Sequence, residues 1–144
     1  MIDQEELIKK VLAYDDELDV KKLKKALRYS KEAHGTQKRA SGEPYYSHPL
    51  EVANVLVDMK LDANSIITAL LHDTVEDTHV TLEDIEKEFG REVMGLVDGV
   101  TKLAKIEFQT EHARFGILNF ARKNNMFQLS WVCFLYCLEY FCNK

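Results

Sequence analysis

Leu70-Leu71-His72-Asp73-Thr74-Val75-Glu76-Asp77-Thr78 closes an apolar helical run (Ile66, Ile67, Ala69, Leu70, Leu71) with four ionisable side chains in six positions. On a helix, residues four apart lie one above the other on the same face, so this spacing sets His72 under Glu76 and Asp73 under Asp77. Two carboxylates about 6 Å apart repel by roughly 2–3 kcal/mol at an effective dielectric of about 20, and by well under ~1 kcal/mol in open water. A divalent cation reverses the sign, because it takes imidazole nitrogen and carboxylate oxygen as ligands. Taken alone, the stretch admits two readings: a frayed, solvated helix end in which the repulsion is screened, or half of a metal site.

The flanking segments keep the helical period. Residues 4–14 read as a short helix with Leu7, Val11 and Leu12 on one face. Asp19 is placed to cap a helix over residues 20–34, whose buried stripe is Leu23, Ala26, Leu27, Ser30 and Ala33. Lys21, Lys22, Lys24 and Lys25 fall mostly off that stripe and read as a solvated face. His48-Pro49 opens a third helix, proline being well placed in a first turn, with Val52, Ala53, Val55, Leu56 and Met59 at helical spacing. A fourth runs from about Asn64 into the opening stretch, with Asp62 or Asn64 as its cap. Thr81-Leu82-Glu83-Asp84 has the form of a capping box with Asp in place of Glu. The helix it starts ends at Gly90, and residues 91–103 give one more, carrying Val93, Leu96, Val97 and Val100. No strand pattern competes, so the expected fold is all-α.

Between the second and third helices, two glycines and a proline break the periodicity in Gly35-Thr36-Gln37-Lys38-Arg39-Ala40-Ser41-Gly42-Glu43-Pro44-Tyr45-Tyr46-Ser47. This segment is either a plain connection or a basic and aromatic loop suited to gripping a nucleotide base and its phosphates, arginine being able to stack on a ring as well as pair with oxygen.

A chain of 144 residues is long enough for one domain with its own core. Its net charge of −5 argues against a broad nucleic-acid-binding surface. A phosphate-bearing ligand must then be met by a local basic patch or by a metal. The acidic start, Met1 to Glu6, lacks the basic and apolar regions of a signal peptide. The three cysteines all fall within the last twelve residues, which suits a reducing compartment. The expected location is cytoplasmic.

His48 begins one helix, and His72-Asp73 end the next. Consecutive antiparallel helices of similar length bring such ends together, and His48, His72 and Asp73 would then supply three ligands to one ion. Ring nitrogens well over about 6 Å apart would exclude a shared cation, given metal–nitrogen bonds of about 2 Å. His34, His79 and His112 lack that placement and read as structural or incidental.

KEAHGTQKRASGEPYYSHPLEVANVL, TALLHDTVEDT and FGREVMGLVDGVTKL strongly resemble the N-terminal hydrolase region of the RelA/SpoT family of bifunctional (p)ppGpp synthetases and hydrolases. The resemblance covers residues 1–114, and it implies an HD-type, metal-dependent phosphohydrolase bundle. It assigns His48, His72 and Asp73 as ligands of manganese, Glu76 and Asp77 as the pair that positions or activates the attacking water, and Arg39 as the residue that stacks on guanine. Ser41 belongs to the same substrate loop. The implied reaction removes the 3′-pyrophosphate of ppGpp or pppGpp, giving GDP or GTP and pyrophosphate. The synthetase activity belongs to a separate domain in this family and is not expected here.

After residue 114 the resemblance breaks off. The family continues into helices that bring a second aspartate as a fourth metal ligand, whereas Asp98 is the last aspartate of this chain. Residues 115–144 form a divergent tail that holds every cysteine, the single tryptophan and more than half of the aromatic residues. Our hypothesis is a shifted reading frame or degraded gene end, which an alternative frame of the DNA would reveal by restoring the family's continuation. The tail has three open readings: a helix over the open side of the bundle through Leu129, Val132, Cys133, Tyr136 and Tyr140, disorder with self-association, or membrane contact. The segment from Met126 to Cys142 is a poor membrane span. The bundle is therefore expected to be incomplete at its C-terminal end, with hydrolase activity much reduced or absent. The alternative is a non-catalytic remnant that keeps nucleotide or partner contacts through the Arg39 loop.

Overall fold

The computed structural model describes residues 3–107, with side chains as far as residue 102. The expectations for residues 115–144 and for His112 lie outside the described residues. Seven helical segments follow one another: α1 (Gln4–Leu12), α2 (Val20–His34), α3 (Ser47–Asp58), α4 (Ala63–Leu71), α5 (Thr74–Asp77), α6 (Leu82–Phe89) and α7 (Arg91–Glu107). No strand occurs among the described residues, only an isolated antiparallel bridge between Lys38 and Pro44.

The core is built around α4. Every residue from Ser65 to Leu71 is buried, and the helix packs against α2, α3 and α7. A helix apolar on all sides is stable only in such surroundings. Each fully buried leucine or isoleucine contributes about 1.5–3 kcal/mol relative to exposure, and Ile66, Ile67, Leu70 and Leu71 are all in that state. The neighbours present one stripe each: Leu23, Ala26 and Leu27 from α2, Val52, Ala53, Leu56 and Val57 from α3, and Val93, Val97 and Val100 from α7.

Local signals set the helix ends. Asp19 Oδ1 accepts from the Lys22 backbone N–H at 3.0 Å. Thr81 and Asp84 form the reciprocal capping box, and Gly90, at a φ of 94° that L side chains rarely adopt, ends α6 one residue before α7 begins. Asp62 precedes α4 without capping its backbone; it accepts instead from Ser65 Oγ at 2.5 Å.

Three expectations need correction. In α1 the buried face is Leu7, Ile8 and Val11, while Leu12 is 40 % exposed, because the helix packs on α3 along the i, i+1, i+4 positions. Lys25 is not simply solvated: its ammonium lies 2.7 Å from Glu88 Oε2 and over the Phe89 ring. The continuous helix expected through Asp77 is broken. α4 stops at Leu71, and α5 is a separate single turn. His72 and Asp73 keep right-handed helical dihedrals across the junction, and the Thr74 hydroxyl satisfies the Leu71 carbonyl at 2.7 Å.

α3 and α4 form the expected antiparallel hairpin. Its turn passes through Lys60, at φ 56°, and is pinned by the Tyr14 hydroxyl donating to the Leu61 carbonyl at 2.8 Å. His48, second in α3, and His72, just past α4, consequently arrive at the same end of the bundle. No described helix is long and apolar enough to cross a membrane.

Candidate functional site

His48, His72 and Asp73 converge at that end. One donor atom from each lies within 4.8 Å of the others. Asp73 is the pivot: its Oδ1 stands 2.9 Å from His72 Nε2 and its Oδ2 3.3 Å from His48 Nε2. The two imidazole rings meet edge to face with centroids 5.6 Å apart. Asp73 and His72 are almost fully buried, at 1 % and 2 % exposure.

The donor set fits a divalent cation. His72 Nδ1 lies 2.5 Å from the Ala69 carbonyl, which can only accept, so Nδ1 carries a proton and Nε2 is the ring nitrogen turned toward the carboxylate and able to ligate a metal. A carboxylate with so little solvent needs nearby positive charge. Two imidazole nitrogens and one oxygen suit a borderline or hard first-row ion and offer no thiolate that would select a softer one.

Glu76 and Asp77 stand on α5, both exposed. The Tyr45 hydroxyl lies 2.8 Å from Asp77 Oδ2 and 3.2 Å from Asp73 Oδ2. Burial, followed by the charge of Asp73 and the hydrogen bond to Asp77, pushes the Tyr45 phenol far above its ordinary value, so it keeps its proton. Gln37 Nε2 donates to the Asp77 carbonyl at 2.7 Å, and Gln37 Oε1 lies 3.0 Å from His34 Nδ1.

The loop before α3 folds into a small hairpin. Arg39 N–H donates to the Glu43 carbonyl, Gly42 N–H to the Arg39 carbonyl and Tyr45 N–H to the Gln37 carbonyl, each at 2.9 Å, with Gly42 at φ 88°. Its inner side bounds a cleft of about 430 Å³ lined by Arg39, Ala40, Ser41, Glu43, Tyr45 and His48. Arg39 and Ser41 therefore share one cavity with the first histidine. The Arg39 guanidinium is held at 3.3 Å by Glu51, one turn after His48.

Several of these residues were not singled out from sequence. Tyr45 stands three positions before His48, a spacing that could have flagged it. Gln37 and Glu51 carry no such signal. Of the two readings of His34, structural or incidental, its surroundings fit the structural one: it is buried and its ring stacks on Tyr45 with centroids 4.7 Å apart. His79 is exposed, in the bend after α5.

A family model for the HD domain matches residues 26–125. The chain belongs to the HD-domain family, as the HD domain of the RelA/SpoT (p)ppGpp synthetase/hydrolase group. It is 49 % identical over 113 residues to a GTP pyrophosphokinase rsh of Brucella ovis, covering 78 % of this chain and 15 % of the relative. It is 46 % identical over 109 residues to a guanosine-3′,5′-bis(diphosphate) 3′-pyrophosphohydrolase of Aquifex aeolicus, covering 76 % of this chain and 16 % of that protein. With the bifunctional (p)ppGpp synthase/hydrolase SpoT of Escherichia coli it shares 45 % identity over 105 residues, 73 % of this chain and 15 % of the other. The chain thus spans about 15 % of the length of these curated relatives. A solved structure of a metazoan ortholog of SpoT that hydrolyzes ppGpp superposes with a TM-score of 0.53 at 23 % identity, covering 81 % of this chain and 93 % of that one. At that identity the likeness speaks for the fold.

Proposed function

We propose that this domain is a manganese-dependent (p)ppGpp 3′-pyrophosphohydrolase, with His48, His72 and Asp73 holding the metal. The observation that carries this reading is one cleft in which Arg39 and Ser41 face His48, itself against Asp73 and His72. The name of the Aquifex relative describes the same activity.

A bound divalent cation supplies two things: a lowered pKa for water and neutralisation of phosphoryl charge. The chain's own groups do the rest. Asp77, anchored at its carbonyl by Gln37 and at its carboxylate by Tyr45, and Glu76, one position before it, are the groups placed to take a proton from the attacking water. Arg39 stacks on the guanine, and Ser41 offers a hydroxyl to the same ligand. Glu51 balances the Arg39 charge, and Glu43 adds a carboxylate to the cleft. The cleft without a cation is therefore not basic, and so anionic a nucleotide binds only with the metal present. The product side is GDP or GTP and pyrophosphate, in the setting of a cytoplasmic starvation response.

The test is pyrophosphate release from ppGpp with manganese, beside His72→Ala as control. Slow release by the parent, well below that of a full-length relative, and none by the variant is the expected result. Stoichiometric nucleotide binding with no turnover, and no manganese in the purified protein, would favour a binding module that keeps the Arg39 loop without the chemistry.

A further inference from the structure

The hydroxyl of Tyr45 is within hydrogen-bond distance of a carboxylate assigned to the metal and of one assigned to the water. A phenol has one proton, so it donates to one acceptor at a time, and the shorter 2.8 Å contact is to Asp77. Asp73 Oδ2 lies 3.2 Å from the same hydroxyl and 3.3 Å from His48 Nε2, so the phenol reaches both carboxylates from one ring position. The ring contacts the two histidines that flank the loop in sequence. His34 stacks on it at 4.7 Å with the planes tilted by 32°, and the edge of His48 meets it at 6.1 Å.

The same loop grips Asp77 a second time. Gln37 donates to its carbonyl while resting on His34 Nδ1, and the Tyr45 N–H donates to the Gln37 carbonyl at 2.9 Å. Two limbs therefore start from one buried histidine, one ending on the backbone of Asp77 and the other on its side chain. Arg39 and Ser41 lie on the hairpin between them. Phenylalanine at position 45 would fill the same space and keep both ring contacts. Only the hydroxyl reaches the carboxylates, so packing alone does not account for a tyrosine.

We propose that Tyr45 is a positioning residue that sets Asp73 and Asp77 relative to each other and ties both to the nucleotide-gripping hairpin, with His34 as the platform under its ring. The inference rests on the metal site proposed above. Groups that orient a metal ligand through a hydrogen bond change metal affinity by about 10- to 100-fold when removed.

The experiment is a manganese titration by calorimetry on the whole chain, on Tyr45→Phe, on Asp77→Asn and on the double variant, with apo melting temperatures for each. Tyr45→Phe is expected to weaken manganese binding about tenfold while the apo melting temperature stays within about 2 °C, because the stacked ring is kept. The double variant is expected to depart from the product of the single effects by about threefold or more, the signature of groups that share one proton. Parent protein that binds no manganese would overturn the metal reading and this inference with it. Parent that binds, with Tyr45→Phe unchanged to within about twofold or the two substitutions simply additive, would overturn the positioning role alone. So would a loss of affinity matched by a large fall in the apo melting temperature, since Tyr45 would then serve folding.

Discussion

Manganese should raise the melting temperature of this domain, and His72→Ala should abolish the rise. The three donor atoms already lie within 4.8 Å of one another. Donors bound to one ion at about 2.1 Å each stand about 3.0–3.4 Å apart in octahedral or tetrahedral geometry, so closing on a cation shortens the widest separation by about 1–2 Å, within the reach of side-chain rotation. His72 is pre-set by the Ala69 carbonyl, and Asp73 lies between the two imidazoles. Little reorganisation then opposes binding. A three-ligand site with a dissociation constant on the order of 10 µM, exposed to about 1 mM manganese, is stabilised by about 2.7 kcal/mol through linkage. For a domain of this size that corresponds to an increase of about 10 °C. His72→Ala removes one donor and opens a cavity beside a nearly buried carboxylate, so the apo variant should itself melt lower, by about 2–4 kcal/mol of stability. Differential scanning calorimetry with and without manganese, against magnesium as comparison, reads both effects. An unmoved parent, or an equal rise in the variant, would refute the convergence of these residues on one ion.

Arg39→Ala should weaken nucleotide binding by about tenfold or more, the worth of a lost stacking partner, while manganese affinity stays unchanged in the same calorimeter. Leu70→Ala, at a position with no exposure in the central helix, should cost about 2–5 kcal/mol in a urea melt. Tyr14 is pushed up to about 12, first by burial and then by Asp15 and Asp62. Folding therefore favours its protonated form, and the stability this brings is complete below pH 10 and fades as pH rises toward 12; Tyr14→Phe should flatten that alkaline decline. The Asp84 carboxyl is held below its usual range, chiefly by the Thr81 backbone N–H and then by its side chain. Its contribution is present above about pH 4 and lost on further acidification; Thr81→Ala, which keeps the backbone N–H and loses only the hydroxyl, should reduce that part of the acid dependence, and Asp84→Asn should abolish it.

What could be read from the chain and what could not divide along a physical line. The helices were legible because their burial is periodic: Leu23, Ala26, Leu27 and Ser30 repeat at the pitch of a helix, and the bundle satisfies that pattern. Leu12 escaped the pattern because periodicity gives a stripe, and only packing on α3 decides which edge of the stripe is covered. The meeting of His48 with His72 and Asp73 could be inferred as soon as two consecutive helices were taken to be an antiparallel hairpin, since connectivity then dictates which ends coincide. The hairpin between α2 and α3 has no period, and its residues find their partners across 28 to 40 positions of sequence: Tyr45 with Asp73, Gln37 with Asp77. Such contacts depend on how a turn at Gly42 aims a strand-like pair of segments, which no local propensity encodes. Arg39 stands out by residue type and by resemblance and Ser41 by resemblance alone, while residue type does not distinguish Tyr45 from the tyrosine beside it. The distinction matters for the chemistry. The candidate ligands have side chains that announce themselves, whereas the group proposed to hold them in register is an ordinary tyrosine whose contacts exist only in the folded arrangement.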